Sequence, residues 1–147
     1  MAQNSLQSPR LQCWNHLFTT LNAAYHEAGC RLGISDCAMQ ILYAVCECGT
    51  ARPLSEIVSI TGISKQTINS ALRRLEADGM ITLELLNRRR KLVCLTEAGQ
   101  ALAQRTALRL AAVEKEIIEA CSQEEWDQFI ATSERYLQMF TEKIKEF

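Results

Sequence analysis

Apolar residues recur along this chain at intervals of three and four, except in one short stretch where the spacing tightens towards two. In residues 11–29, Leu11, Trp14, Leu17, Phe18, Leu21 and Tyr25 share one broad side of a predicted helix. A second helix over residues 35–47 carries Ala38, Met39, Ile41, Leu42, Val45 and Cys46. A short third helix, residues 54–61, has Leu54, Ile57, Val58 and Ile60 as its apolar positions. Gly62 makes a turn, and Ser64 is a good N-cap for a fourth helix with Ile68, Ala71, Leu72 and Leu75 on one stripe. Gly79 stops that helix. The pattern then becomes strand-like over Met80, Ile81, Thr82, Leu83, Leu85 and Leu86, and returns over Leu92, Val93, Cys94 and Leu95. Thr96 is placed to cap one long helix reaching about residue 120, with Leu102, Leu108, Ala112, Ile117 and Ile118 inside it. Ser122 and Glu125 form a capping box, with Cys121 and Trp126 as its hydrophobic staple. It opens a last helix over residues 123–145.

These elements predict a mainly α fold with one small β-hairpin. The order helix, turn, helix, hairpin in residues 54–96 is that of a winged helix-turn-helix. The outward face of the fourth helix carries Gln66, Asn69, Ser70 and Arg73, flanked by Lys65, Thr67 and Arg74. No carboxylate appears there until Glu76. A solvated helix face ordinarily mixes Glu with Lys for support four residues apart. An acid-free face that begins at a helix N-terminus suits the major groove of a duplex instead. The predicted hairpin tip, residues 87–91, adds Arg88, Arg89, Arg90 and Lys91. By itself such a run is equally a solvated loop or a phosphate clamp.

Charge changes the weight of those two readings. Residues 64–96 hold seven Lys/Arg against three acids, net +4, whereas residues 97–147 hold six against ten, net −4. Residues 1–63 carry −1, so the overall −1 hides a basic segment beside an acidic one. That asymmetry orients a molecule on DNA and argues against a protein that coats DNA indiscriminately.

The run LSEIVSITGISKQTINSALRRLEADGMI, the arginine tip and VCLTEAGQAL together resemble the winged helix-turn-helix of the multiple-antibiotic-resistance regulator (MarR) family. The resemblance covers about 50 residues closely and implies a sequence-specific regulator, usually a repressor, that occupies a palindrome as a homodimer. It implies that Ser64, Lys65, Gln66, Thr67, Asn69, Ser70, Arg73, Arg74 and the wing cations Arg88, Arg89, Arg90 and Lys91 meet DNA. Arg89, with Arg88, is expected at a minor groove or its phosphates. The family's wing usually reads Asp-Arg-Arg, where this chain has Asn87-Arg88-Arg89, so the brace on the wing becomes a neutral bond.

The remaining helices suit a support for such a module. At 147 residues with 48% hydrophobic content, the chain makes one domain or one intertwined protomer. Its expected parts are an N-terminal dimerisation helix (1–33), the winged module (34–96), and a long helix with a C-terminal dimerisation helix (97–147). Trp126, Phe129, Phe140 and Phe147 are more aromatic area than a terminal helix usually buries alone, so a two-fold interface is expected from the first and last helices. Two recognition helices held about 34 Å apart read successive major-groove faces. Family ligands, small aromatic or phenolic effectors, sit where dimerisation helices meet the winged module. Trp14, Phe18, Tyr25 and Met39 are the candidate walls there, or else plain core and interface.

The polar start MAQNSLQSPR has no apolar signal region, and no run approaches a membrane span. A cytoplasmic protein with reduced thiols is therefore expected. Seven cysteines occur without a CxxC pair, and His16 and His26 are ten apart, so no metal site is expected. Most of the cysteines read as small core residues. Cys13, Cys30, Cys46 and Cys48 are the candidate redox sensors, although no neighbouring cation in sequence singles one out. No cofactor is expected, and no phosphate loop, HExxH or placeable Ser–His–acid arrangement suggests an enzyme. Two alternatives stand beside the DNA-binding reading: a thiol-based redox regulator of the same fold, and a winged helix that binds protein. Winged helices of that second kind acquire acids on the polar face, and this face has none.

Overall fold

In the computed structural model, residues 5–147 are described, so the first four residues of the polar start lie outside the described residues. Residues 5–147 form seven α-helices and a three-stranded sheet, with a short 3-10 turn at each end. The helices are α1 (Pro9–Leu32), α2 (Asp36–Cys46), α3 (Leu54–Thr61), α4 (Lys65–Ala77), α5 (Glu97–Arg105), α6 (Ala107–Ala120) and α7 (Gln123–Lys143). The strands are β1 (Ala51–Pro53), β2 (Ile81–Asn87) and β3 (Arg90–Leu95). The chain divides into two compact units, Met1–Leu110 and Ala111–Phe147.

The core of the first unit is built from the stripes the periodicity marks. Ile41, Leu42 and Val45 of α2, Ile57 of α3, and Ile68 and Leu72 of α4 are fully buried, together with Ile81 and Val93 of the sheet. Burying such a side chain contributes about 1.5–3 kcal/mol each, which is what holds the helix-turn-helix to the sheet. Ser64 caps α4 as its sequence suggests, its hydroxyl accepting from the Thr67 N–H at 3.2 Å. Gly62, at φ 64°, supplies the left-handed turn between α3 and α4 that a side chain would resist.

The sheet is antiparallel in the order β1-β3-β2, so β3 lies in the middle. The predicted hairpin is present, and β1 is an addition to it. Ala51–Pro53 is three residues with no readable alternation, and it pairs with Leu92, Val93 and Cys94. Arg52 fixes it in place. Its guanidinium donates to the Ala44 carbonyl at 2.7 Å and to Glu47 at 2.8 Å, and it reaches Glu56 at 3.4 Å, joining α2, β1 and α3.

Two expectations about helices need correction. The predicted continuous helix from Thr96 to residue 120 is two helices that break at Thr106, whose backbone leaves the helical region at φ −124°, ψ −91°. The Thr106 side chain is fully buried, and its hydroxyl donates to the Leu102 carbonyl at 2.7 Å, satisfying an oxygen at the helix end. The last helix ends at Lys143, and Ile144–Glu146 continue as a 3-10 turn. Its start is as expected. Ser122 accepts from the Glu125 N–H while the Glu125 carboxylate accepts from the Ser122 N–H, a complete capping box. Within its own unit, α7 buries no residue.

Candidate nucleic-acid interface

The α4 stripe of Ile68, Leu72 and Leu75 faces inwards, so the opposite side is fixed in space by core packing. Lys65, Gln66, Thr67, Asn69, Ser70, Arg73 and Arg74 are all exposed. Several of their polar atoms are already engaged. The Ser70 hydroxyl donates to the Gln66 carbonyl at 3.1 Å, which leaves its oxygen as an acceptor towards a ligand. The Ser64 and Thr67 hydroxyls lie 2.8 Å apart and serve the helix start. Lys65, Gln66, Asn69 and Arg73 are the side chains left to reach outwards. Arg74 leans elsewhere, lining a cavity with Ala71, Leu75 and Asp78.

The wing is tighter than the predicted tip of residues 87–91. Arg90 and Lys91 belong to β3, paired with Asn87 and Leu85, and only Arg88 and Arg89 remain in the turn. The turn is made by Asn87, whose side-chain carbonyl accepts from the backbone N–H groups of Arg89 at 3.1 Å and Arg90 at 3.0 Å. The expected brace therefore acts on the backbone, not on a guanidinium. A register irregularity between Leu85 and Asn87 twists the tip. Among the described residues, no carboxylate forms an ion pair with Lys65, Arg73, Arg88, Arg89, Arg90 or Lys91. These six cations and the acid-free α4 face are all in the first unit.

The cavity that Arg74 lines has a volume of about 590 Å³. Ile34, Ala38, Leu75 and Leu102 make its apolar walls, and Ser35 and Asp78 are polar members. The expected wall residues are not among those lining it. Met39 is in the core, Trp14 stacks edge-on against Phe18 with ring centroids 4.5 Å apart, and Tyr25 is exposed. Sequence periodicity placed these four on the right helices but could not locate the gap between α2, α4 and α5.

The described cysteines divide into two sets, and all seven are free thiols. Burial pushes the thiols of Cys37, Cys46 and Cys94 up in pKa. Cys46 is thereby disfavoured as a thiolate, whereas Cys48, two residues on, is exposed. Cys30 differs from all of these. Its sulfur lies 3.6 Å from His26 Nε2, and His26 Nδ1 lies 2.8 Å from Asp36 Oδ2. This Cys–His–Asp arrangement is invisible in the sequence because Asp36 arrives through the corner between α1 and α2. Among the described residues no cluster of His, Cys, Asp and Glu has the makings of a metal site. No helix there is long and apolar enough to cross a membrane.

A sequence model described as the MarR family matches residues 32–90, which span α2, the helix-turn-helix and the wing as far as its turn and the first residue of β3. Over that segment the chain is similar to the MarR family's winged helix-turn-helix. Beyond that segment, similar solved structures extend over most of its length. A MarR-family transcriptional regulator from Silicibacter pomeroyi is 25% identical, with a TM-score of 0.69, and the alignment covers 93% of each chain. A MarR family regulator from Neisseria meningitidis reaches a TM-score of 0.81 at 17% identity, over 93% of this chain and 97% of that one. CouR from Rhodococcus jostii RHA1, bound to p-coumaroyl-CoA, is 20% identical with a TM-score of 0.70, over 88% and 92%. No curated protein matches in sequence. The fold is thus shared with solved MarR-family transcriptional regulators.

Proposed function

We propose that this chain is a MarR-family, sequence-specific DNA-binding transcriptional repressor that occupies a palindromic operator as a homodimer in the cytoplasm. The observation that carries the reading is the acid-free outward face of α4 beside a wing whose cations have no carboxylate partner among the described residues. Gln66, Asn69 and Arg73 read base edges, and Ser70 accepts from them. Lys65, Thr67 and the wing cations Arg88, Arg89, Arg90 and Lys91 hold phosphates, while Ser64 presents the helix N-terminus.

Residues 1–33 and 97–147 serve dimerisation around the winged module of residues 34–96. Support comes from apolar side chains left open on single helices. Leu17, Phe18 and Leu21 of α1 are about half exposed, as are Phe129, Leu137, Met139 and Phe140 of α7. A two-fold partner would cover such surface. A small aromatic or phenolic effector occupies the cavity beside Arg74, its anionic or hydroxyl group meeting the guanidinium, and releases the DNA.

A salt titration tests this reading. Binding of the purified protein to genomic fragments is expected to weaken steeply with salt, roughly 0.9 in log–log slope for each phosphate engaged. A protein that retains no fragment at low ionic strength would end the proposal and favour a winged helix that binds protein.

A further inference from the structure

The corner between α1 and α2 assembles a nucleophile, a base and an orienting acid. His26 and Cys30 are four residues apart and so share a face of α1. The chain then turns at Gly33, φ 70°, whose N–H donates to the Cys30 carbonyl, and the Ile34 N–H donates back to Gly29 at 3.0 Å. Gly29 is buried, and a β-carbon there would stand 3.2 Å from Asp36 Oδ1. The missing side chain is what lets the first residue of α2 approach α1. Asp36 thereby meets His26 Nδ1 with both oxygens, at 2.8 and 3.1 Å. A carboxylate only accepts, so in the neutral imidazole it is Nδ1 that carries the proton and Nε2 that turns a lone pair towards Cys30 Sγ.

We propose that Cys30 is a base-assisted covalent acceptor for soft carbon electrophiles such as enones and quinones. His26 Nε2 takes the thiol proton as the sulfur pair bonds the β-carbon of the electrophile. The π pair moves to the carbonyl oxygen, and the proton returns from Nε2 to the α-carbon. The sum is an addition: no oxidant, reductant or leaving group takes part. Asp36 is a positioning residue that fixes the tautomer and the ring. The site is open, with the His26 and Asp36 side chains 66% and 53% exposed, so it selects by reactivity and not by shape. Among the described cysteines, Cys30 is the one with a basic nitrogen at its sulfur. Exposed Cys121 instead donates to its own helix, at the Ile117 carbonyl.

N-ethylmaleimide, an α,β-unsaturated imide, is a soft carbon electrophile of the same kind, and it provides the test on the full-length protein in its native oligomeric state. Labelling rates at each cysteine are read by peptide mass spectrometry. Cys30 is expected to react at least about tenfold faster than Cys13 or Cys121, the gain a positioned base supplies. H26A and D36N should remove that advantage while leaving the Cys13 and Cys121 rates unchanged. Added imidazole should restore the rate in H26A but not in D36N, which a purely structural role for His26 would not produce. Cys30 reacting no faster than the other two, or a rate indifferent to H26A, overturns the proposal. Either result leaves the DNA-binding reading untouched, since labelling is measured without DNA.

Discussion

Gly99 lies so close to the Met80 carbonyl that a β-carbon on it would overlap the carbonyl oxygen. The same carbonyl accepts from the Thr96 N–H, and the Thr96 hydroxyl both caps α5 and reaches the Gly79 carbonyl at 2.6 Å. The end of α4, the start of β2 and the start of α5 are thus fastened at one point. Gly99→Ala must separate backbone from backbone, not displace a flexible side chain. A loss of at least about 2 kcal/mol is expected from overpacking at this site. Urea unfolding followed by circular dichroism measures it, and an unchanged midpoint would contradict the close approach.

Asn87 shapes the wing through two backbone bonds and touches no guanidinium. Asn87→Ala is therefore expected to leave thermal stability nearly unchanged while loosening the turn that presents Arg88 and Arg89. Affinity for the operator should fall about three- to tenfold, the worth of roughly one hydrogen bond. Asn87→Asp, which keeps the acceptor, should retain the turn.

Arg73 and Arg89 should separate by the kind of loss they cause. Arg73→Ala is expected to relax sequence preference at one position in each half-site, by about 1–3 kcal/mol of discrimination. Arg89→Ala should weaken all fragments alike and reduce the salt slope by about one per phosphate lost. Fragment selection followed by titration at two salt concentrations distinguishes them. Equal behaviour of the two variants would put both residues on the backbone.

Glu125 gives the last helix a pH dependence of known sign. Its carboxyl is held below the ordinary value of 4.5, first by the Ser122 hydroxyl and then by the Ser122 backbone N–H. A depressed folded value favours the charged form in the folded state. The stabilisation is complete above the unfolded glutamate value and fades as pH drops through the folded one. Thermal midpoints recorded on the acid side of the ordinary value should therefore decline less for Glu125→Gln than for the parent protein. Parallel curves would exclude a charged capping box.

Cys46 and Cys48 are two residues apart yet should label very differently. Burial raises the Cys46 thiol and screens it, whereas Cys48 is exposed. A maleimide of moderate size is expected to modify Cys48 faster than half-buried Cys46. Simultaneous modification in native buffer would mean that the end of α2 frays.

Much of this architecture is legible from residue order because the periodicity and the end signals agree. Ser64, Gly62 and Gly79 bracket α4 where the stripe of Ile68, Leu72 and Leu75 begins and stops. Ser122 and Glu125 open α7 in the same way. The losses have equally definite causes. Ala51–Pro53 is too short to alternate, and its pairing with β3 is set by Arg52 contacts with distant residues. Thr106 fits a helical pattern by composition, but its hydroxyl and buried position decide the break. Arg90 and Lys91 look like loop residues because both faces of a hairpin tip meet water, where polarity carries no pairing information. His26, Cys30 and Asp36 come together only through the geometry of a corner.

The sheet is also closed to further growth. Its β1 border is three residues long and ends in Pro53, which has no N–H to offer an incoming strand. Its β2 border is interrupted beyond Leu85, so neither rim presents a straight ladder. Copies at high concentration can therefore lie side by side without their wings zipping into a shared ribbon.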